Sequence, residues 1–559
     1  MKLMNKTTIN ALLMGAILWS LPASVRAWDP SEKEIDAAVK NADFAGYLNG
    51  AATWLNGKVP ANADEASLTK LLKDPVFHGV LNQRQFIAKT GPDKLAAFAK
   101  ADPANQAFLS WLMKNTEALD LYLIAVVPLG LPAREDNSYM LSTEALGIWN
   151  KIMLADPDAK KGIYLKLAIA TGLLPPGSVN IGAGGAKTPS DVIERFKHYK
   201  TAHQNKELFP SFDHLTVWEY TKIVNSGASN EDLAWGRKMI NTWRPDLKKN
   251  ELVVNSTSEV WRRNSPIDFA GSFKNVLAGG GKCGPRSSWS VFICHAFGIP
   301  AIGVGQPAHA CVAYKTAFPM AEPQPGSAWK VGYGRGWQVS KLEGMGGSEF
   351  VAAVQEREHA AEFSQVEHLR WFAAATPAAK DKIMAVANKI RQDLQVVKTD
   401  ITASAKADEA EKELVPDKNA ATQAAAAAGP IKVAASSTVV DASKFSKMLA
   451  ARTIDCFTGG KQVNFDKSID NSFIEFNLDV ATAGSYTVQV TAATPNMEQV
   501  LNVSTGSNPP VTIKVVNSNG LWEKTETVEV KLEKGAQTLK IAAPNQRGIA
   551  LKSIELKAK

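Results

Sequence analysis

The sequence predicts a multidomain protein with an α-helical N-terminal region, an α+β core and a C-terminal antiparallel β-sandwich (jelly roll). Apolar residues recur at helical spacing up to about residue 245, and they alternate with polar residues after about residue 470. Between these regions, one helical pattern is followed by short strand patterns. With 559 residues and 45% hydrophobic content, the chain can support roughly three domains of ordinary size.

Residues 1–27 have the features of a secretory signal peptide. Lys2 and Lys6 precede an apolar run that starts at Ile9, and Ala27 ends a short cleavage segment. No later window reaches the roughly 18 uncharged apolar residues of a membrane span. The net charge of +8 is mild, and the basic residues are interspersed with acidic ones. The sequence therefore does not show the clustered basic residues typical of nucleic-acid binding. We therefore expect an exported protein without a membrane span after signal cleavage.

Residues 28–214 are predicted to form a helical domain. Leu68 to Leu72 and Ile163 to Leu174 carry apolar residues at three- and four-residue spacing. The pattern continues to about residue 245, where Ser229 opens a helix that Pro245 ends. No motif here specifies chemistry. Four scattered histidines are expected at the surface or in ordinary core: His78, His198, His203 and His214.

Residues 279–315 contain the residues that most strongly indicate a catalytic site. Three glycines lead into Cys283, apolar residues then recur at helical spacing, and Gly298 and Pro300 end the pattern. The sequence thus predicts a helix that begins at Cys283. The unpaired N–H groups and the positive dipole end of a helix start favour a thiolate, which is the reactive form of cysteine.

A histidine heads the strand predicted after this helix. The strand AIGVG and a turn through Ala308 lead into His309, and alternation places His309 and Cys311 on the same face. If that face meets the helix start, His309 can take the proton from Cys283. Backbone N–H groups around Gly281 and Gly284 would then stabilise an oxyanion.

These residues resemble the motif of the transglutaminase-like superfamily of papain-like thiol enzymes. The shared features are the glycine-preceded Cys283, the helix stop Gly298-Ile299-Pro300 and His309. The resemblance covers roughly residues 215–345 and implies thiol-dependent hydrolysis or acyl transfer at an amide or peptide bond of a protein or peptide substrate. The family usually has an Asp after Gly-Trp, whereas this chain has Gln338. Either Gln338 or a side chain distant in sequence orients the imidazole, or catalysis is weak or lost.

Other uses of the cysteines remain open. Cys283, Cys294 and His309 include ligand types that suit zinc, but the chain has no Cys-x-x-Cys pair. A disulfide between Cys294 and Cys311 would leave Cys283 free. We predict no metal and no cofactor, and we expect Arg286 to be solvated or salt-bridged.

A helical run from about Glu349 to Val397 closes the transglutaminase-like domain, predicted as residues 215–403. His359 and His368 lie among charged residues of this run, so we expect both to be solvated. Residues 404–430 are low in complexity and rich in Ala, Lys and Glu, which predicts a partly helical linker.

Residues 431–559 are predicted to form the β-sandwich. Apolar and polar residues alternate in short runs that turn residues separate. The runs are Ile474 to Val480, Tyr486 to Val490, Val528 to Leu532, Leu539 to Ile541 and Ile549 to Leu551.

Within this region, the stretches IEFNLDVATAGSYTVQV and GIALKSIEL resemble carbohydrate-binding modules with a galactose-binding-like fold. The resemblance implies a glycan or cell-envelope polysaccharide as ligand. It also implies that Trp522 stacks on a sugar face and that Asn545 contacts the sugar.

Two functions follow. The first is an exported transglutaminase-like thiol enzyme that the sandwich targets to a glycan. The second is a non-catalytic cell-envelope binding or structural protein with a degenerate transglutaminase-like fold, which the missing Asp after Trp337 favours.

Overall fold

The computed structural model describes residues 28–130, 138–174, 189–259, 272–279, 283–316, 328–332, 336–339, 342–394, 423–424, 429–467 and 470–559. The predicted signal peptide, Gly281 and most of the predicted linker lie outside the described residues. Within the predicted linker, residues 423–424 form a short strand.

The described N-terminal region is helical, as predicted. Its helices up to residue 130 are α1 (Glu32–Asn41), α2 (Phe44–Asn56), α3 (Glu65–Leu72), α4 (Pro75–Thr90), α5 (Pro92–Ala101), α6 (Pro103–Lys114) and α7 (Thr116–Val126). They are followed by α8 (Thr143–Ala155), α9 (Gly162–Gly172), α10 (Pro189–Gln204), α11 (Val217–Val224) and α12 (Asn230–Trp243).

Side-chain caps explain where many of these helices begin. An acidic cap accepts a backbone N–H of the first turn at Asp43, Asp64, Asp74 and Asp102. At α12, Ser229 accepts from the Asp232 N–H at 2.9 Å, as the sequence predicts. Such caps satisfy N–H groups that have no partner inside the helix. None of the described helices combines the length and apolar character that a membrane crossing requires.

The middle of the chain combines helices with a small sheet. The elements are α13 (Asn250–Val253), α14 (Phe273–Gly279), α15 (Cys283–Ala296), β1 (Ala301–Gln306), β2 (His309–Lys315), β3 (Trp329–Gly332), α16 (Gly347–Glu358), α17 (Ala360–Ala375) and α18 (Lys380–Asp393). The three strands pair antiparallel in the order β1, β2, β3. This agrees with the predicted order of helix and strands, and the assignment to a transglutaminase-like fold stays a prediction.

One hydrophobic core joins the helical region to the α+β region. Buried side chains from Ile35 to Ile390 form a single cluster, which includes Trp149 of α8 and Trp289 of α15. Helices on both sides of residue 214 therefore pack on common neighbours, and the boundary proposed there stays a prediction.

The C-terminal region is antiparallel and sheet-rich, as predicted, and its arrangement is that of a β-sandwich. Its strands are β4 (Gln423–Ala424), β5 (Ile431–Val433), β6 (Ser437–Asp441), β7 (Lys447–Leu449), β8 (Arg452–Asp455), β9 (Lys461–Lys467), β10 (Phe473–Val480), β11 (Gly484–Ala493), β12 (Gln499–Thr505), β13 (Val511–Val515), β14 (Glu523–Lys524), β15 (Val528–Leu532), β16 (Gly535–Ala542) and β17 (Arg547–Ala558).

These strands form two sheets around a second core. One sheet has the order β13, β12, β16, β10, β7, β4, and β5 pairs parallel with β10. The other has the order β14, β11, β17, β9, β8, with β15 and β6 added beside β11 and β17. Alternate residues such as Ile474, Phe476 and Leu478 are fully buried between the sheets. The period of two in the sequence is therefore the alternation between core and outer face.

The sandwich docks on α12 through specific contacts. The Trp243 Nε1–H donates to the Gly548 carbonyl at 2.9 Å, and the Trp243 carbonyl accepts from Asn464 Nδ2 at 2.9 Å. The carboxylate of Asp246, just beyond α12, accepts from Arg452 at 2.7 Å. The helical body and the sandwich thus share buried polar contacts as well as apolar surface.

Gly520 lies where the sandwich comes closest to α12. Its φ is 73°, and a Cβ added there would lie 2.5 Å from Met239 Cγ. Gly506 is a matched control, because its φ is 53° and no atom of the described residues lies within 4 Å of its Cβ position.

We expect Gly506→Ala to lower the free energy of unfolding by about 1 kcal/mol, the cost of a left-handed alanine. Gly520→Ala is expected to cost about 1–3 kcal/mol more, because the new methyl group overlaps Met239. Urea denaturation of both variants measures the difference, and equal costs would contradict this close packing.

Candidate functional site

The helix that carries the candidate nucleophile begins at Cys283, as predicted. Cys283 is half-buried and Gly284 is exposed. Trp289 is fully buried in the core, as expected. The helix stops because Gly298 has a φ of 73°, and a Cβ at this glycine would lie 2.6 Å from the Phe212 ring.

His309 is the first residue of β2, also as predicted. A two-residue turn, Pro307 and Ala308, joins β1 to β2, and Ala308 has a φ of 55°. The pairing begins with Gln306 opposite His309 and ends with Ala301 opposite Tyr314. His309 is half-buried and therefore lies at the turn end of the hairpin.

Two hydrogen bonds fix how α15 lies along this hairpin. The Ser287 hydroxyl donates to the Cys311 carbonyl on β2 at 2.5 Å. At the last turn of the helix, His295 places Nε2 2.9 Å from the Ala301 carbonyl, whose residue pairs with Tyr314 near the far end of β2. The helix and β2 therefore run in the same direction, and their first residues lie at the same end.

This alignment places Cys283 and His309 at similar positions along the common direction of the helix and the strand. Cys283 precedes Ser287 by four residues, which is about 6 Å along a helix. His309 precedes Cys311 by two residues, which is about 6.6 Å along a strand. Counting back from the Ser287–Cys311 contact, the thiol and the imidazole both lie at the start of their element.

The other two cysteines of this region, Cys294 and Cys311, differ from Cys283 in their surroundings. Burial raises the pKa of the Cys311 thiol to about 12, and the nearby Cys283 adds to the shift. Burial also raises the pKa of Cys294, in the middle of the core. Both groups are therefore neutral thiols at physiological pH, whereas Cys283 stands at a partly exposed helix start.

The candidate orienting residue lies near the same end of the hairpin. Gln306 Nε2 donates to the Gly336 carbonyl at 2.8 Å, which ties the segment before Gln338 to the turn end of β1. Trp337 is buried, and its ring lies 5.8 Å from that of Phe350. The Gln338 side chain is exposed, and its role in orienting the imidazole stays a prediction.

Three alternatives from the sequence are corrected by the structure. All four cysteines are free, so the Cys294–Cys311 disulfide is not formed. Among the described residues, the cysteines are not part of any group suited to hold a metal ion. Arg286 is buried and its Nε donates to Thr257 Oγ1 at 3.3 Å, so the expectation of a solvated side chain is wrong, and the salt-bridged alternative stays a prediction.

The two candidate sugar-binding residues lie in different surroundings, one half-buried and one exposed. Trp522 is half-buried and packs against the helical core, and Lys552 Nζ lies 5.8 Å from its ring centre. Asn545 is exposed in a turn with a φ of 53°, and its amide donates to Asp470. Roles for both residues in sugar binding stay predictions.

Sequence reasoning missed one cluster of chemically capable side chains. His78, Asp120 and His368 meet in the helical body, although His78 and His368 are 290 residues apart in sequence. His368 is buried rather than solvated. Its position beside the apolar Leu369, within a run that also contains buried aromatics, was the signal that could have placed it inward.

A large cleft lies at a different place. It has a volume of about 540 Å³ and is lined by residues that include Trp218, Glu343 and Glu349. Cys283 and His309 are not among its lining residues.

No protein-family model matches the chain, and no curated protein matches it. Several solved structures resemble its C-terminal region. One is the C-terminal family 6 carbohydrate-binding module of a Zobellia galactanivorans laminarinase. The match has 11% sequence identity, covers 22% of this chain and 98% of that chain, and has a TM-score of 0.19. A second is a family 6 module of a Cellvibrio mixtus lichenase, solved with cellotriose. This match has 21% sequence identity, covers 22% of this chain and 97% of that chain, and has a TM-score of 0.20. A third is a family 35 carbohydrate-binding module of Clostridium thermocellum. This match has 16% sequence identity, covers 22% of this chain and 100% of that chain, and has a TM-score of 0.20. These scores carry no functional argument, and the sandwich assignment rests on its own strand pairing.

Proposed function

We propose that this chain is an exported thiol enzyme that acts on an amide or peptide bond of a protein or peptide substrate. The observation that carries the proposal is the alignment of α15 with β2 through the Ser287–Cys311 and His295–Ala301 contacts. A thiol at a helix start beside an imidazole is the arrangement that nucleophilic catalysis needs.

The chemistry follows from this pair. His309 takes the proton of Cys283, and the sulfur attacks the carbonyl carbon while the C=O π bond breaks toward oxygen. Backbone N–H groups at the start of α15, around Gly284, donate to the oxyanion. The C–N bond then breaks, His309 gives its proton to the leaving amine, and an acyl-enzyme remains. Attack by water gives hydrolysis and attack by an amine gives transfer, with the thiolate leaving in both cases.

We further propose that the sandwich targets the enzyme to a glycan. This part is supported by the sequence resemblance of residues 431–559 to carbohydrate-binding modules and by the observed sandwich. The docking of β17 on α12 would hold the sandwich in one orientation relative to the thiol.

An activated ester tests the thiol chemistry without knowledge of the natural substrate. On mixing with p-nitrophenyl acetate, the wild-type protein is expected to release a burst of one p-nitrophenolate per chain and to carry one acetyl group on Cys283. Cys456 provides the matched control, because it is also half-buried and free. Cys456→Ala should keep the burst, and Cys283→Ala should lose it.

A burst of equal size in the Cys283→Ala variant, or acetylation spread over both thiols, would contradict the proposal. The alternative function, a non-catalytic binding protein, is favoured by the exposure of Gln338 at the position where the resemblance expects an Asp. It predicts slow acetylation without a burst.

A further inference from the structure

Two helices of the N-terminal region and one from the middle of the chain bring two imidazoles and a carboxylate together. His78 lies on α4, Asp120 on α7 and His368 on α17. The two Nε2 atoms are 3.3 Å apart. Asp120 Oδ1 lies 3.4 Å from the His78 nitrogen and 2.6 Å from the His368 nitrogen. Three donor atoms thus point to one small volume.

These separations are close to those of a tetrahedral metal site. Zinc binds imidazole nitrogen and carboxylate oxygen at about 2.0–2.1 Å, so two ligand atoms of a tetrahedral ion lie about 3.3–3.4 Å apart. Two of the three observed separations, 3.3 and 3.4 Å, have this value. The third, at 2.6 Å, is that of a hydrogen bond and must lengthen by less than about 1 Å to admit an ion.

A buried amide beside the cluster points independently to a missing partner. Asn82 lies one turn after His78 and is fully buried. Its Nδ2 donates to Asp120 Oδ1 at 3.2 Å, whereas its Oδ1 is buried without a hydrogen-bond partner among the residues that the structure describes. Buried polar atoms are nearly always paired, often by ordered water. A water molecule held by an ion at this place would supply the missing donor.

The donor types of the cluster also suit a cation. Two imidazole nitrogens and one carboxylate oxygen are a donor set that zinc uses.

We propose that His78, Asp120 and His368 bind a divalent transition-metal ion, Zn²⁺ by the chemistry of the ligands. The site is open on one side, since the His78 and Asp120 side chains are 26% and 25% exposed while that of His368 is 8% exposed. Three protein ligands with access for solvent leave a fourth position for water, as in catalytic rather than structural zinc sites. This metal site is separate from the Cys283–His309 pair and does not depend on it.

Cobalt titration of the untagged full-length chain tests the proposal. After treatment with a chelator and dialysis, Co²⁺ is expected to produce visible d–d absorption that saturates at one equivalent and disappears when Zn²⁺ is added. Cys283→Ala should bind with the same stoichiometry and the same spectrum, since its thiol is not a ligand. A wild-type chain without saturable absorption at one equivalent would overturn the proposal, whatever the stability of any variant.

Ligand variants locate the ion. His78→Asn and Asp120→Asn are each expected to weaken binding by about 100-fold or more, because loss of a ligand exceeds the 10- to 100-fold effect of its supporting partners. His203 is the matched control, because its Nε2 lies 2.8 Å from Asp213 and, within the described part of the chain, this pair is not in a group suited to hold a metal ion. His203→Asn should bind as the wild type does. Wild-type affinity in both ligand variants would overturn the assignment.

Discussion

Replacing His309 with alanine is expected to slow the acylation of Cys283 by about 100-fold at a pH near 6.5. A free cysteine has a pKa near 8.5, so only about 1% of it is thiolate two pH units lower. In the wild type, the imidazole at the start of β2 would accept the proton during attack. Stopped-flow measurement of the p-nitrophenolate burst gives the acylation rate directly.

One further variant and two buried thiols make this result specific. His359 is exposed and lies before α17, and His359→Ala should acylate at the wild-type rate. Cys311 and Cys294 are buried thiols with raised pKa values and should stay unmodified in all variants. A folded His309→Ala protein with the wild-type burst rate would show that the imidazole takes no part.

The Trp243→Ala substitution is expected to lower the free energy of unfolding by about 3–5 kcal/mol. Trp243 ends α12, is fully buried, and connects the helical body to β17 through its bond to the Gly548 carbonyl. Its removal leaves a cavity between the two cores and an acceptor without its donor. Thermal and denaturant unfolding followed by two probes would show whether body and sandwich still unfold together.

A graded series separates the contributions of Trp243. Trp243→Phe keeps most of the volume and loses the indole N–H, so a cost of about 1–2 kcal/mol is expected. Trp54 is a half-buried tryptophan of α2 and serves as the control for loss of an indole. If Trp243→Ala cost no more than Trp54→Ala, the interface between α12 and the sandwich would not be a stabilising contact.

Features set by local sequence could be predicted closely. The glycines before Cys283 and the left-handed Gly298 are local signals, and α15 begins and stops where they indicate. The strand start at His309 follows from the two-residue turn before it. In the sandwich, alternation fixes which residues face inward, because the period of two admits only one core face. The helical N-terminal region, the sheet-rich C-terminal region and the places of Cys283 and His309 in their elements therefore follow from neighbours in the chain.

Features set by distant packing could not be predicted in this way. Arg286 follows Cys283 on a helix and has no local mark of burial, yet it lies inward against Thr257. His368 is flanked by Glu367 and Arg370, which suggested solvent, but all three side chains are buried. The contact of His368 with His78 depends on how α17 crosses α4, which no single stretch of sequence encodes.

The most direct test of the thiol enzyme is the ratio of alkylation rates at Cys283 and Cys456 within one molecule at a pH near 6.5, read by peptide mass spectrometry under limiting iodoacetamide. Both thiols are free and half-buried, and burial raises the pKa of the Cys456 thiol in the wild type and in His309→Ala alike. If Cys283 and His309 act as a pair, the ratio should be about 100 or more in the wild type and should fall by about 100-fold in His309→Ala. A wild-type ratio near one would contradict the account.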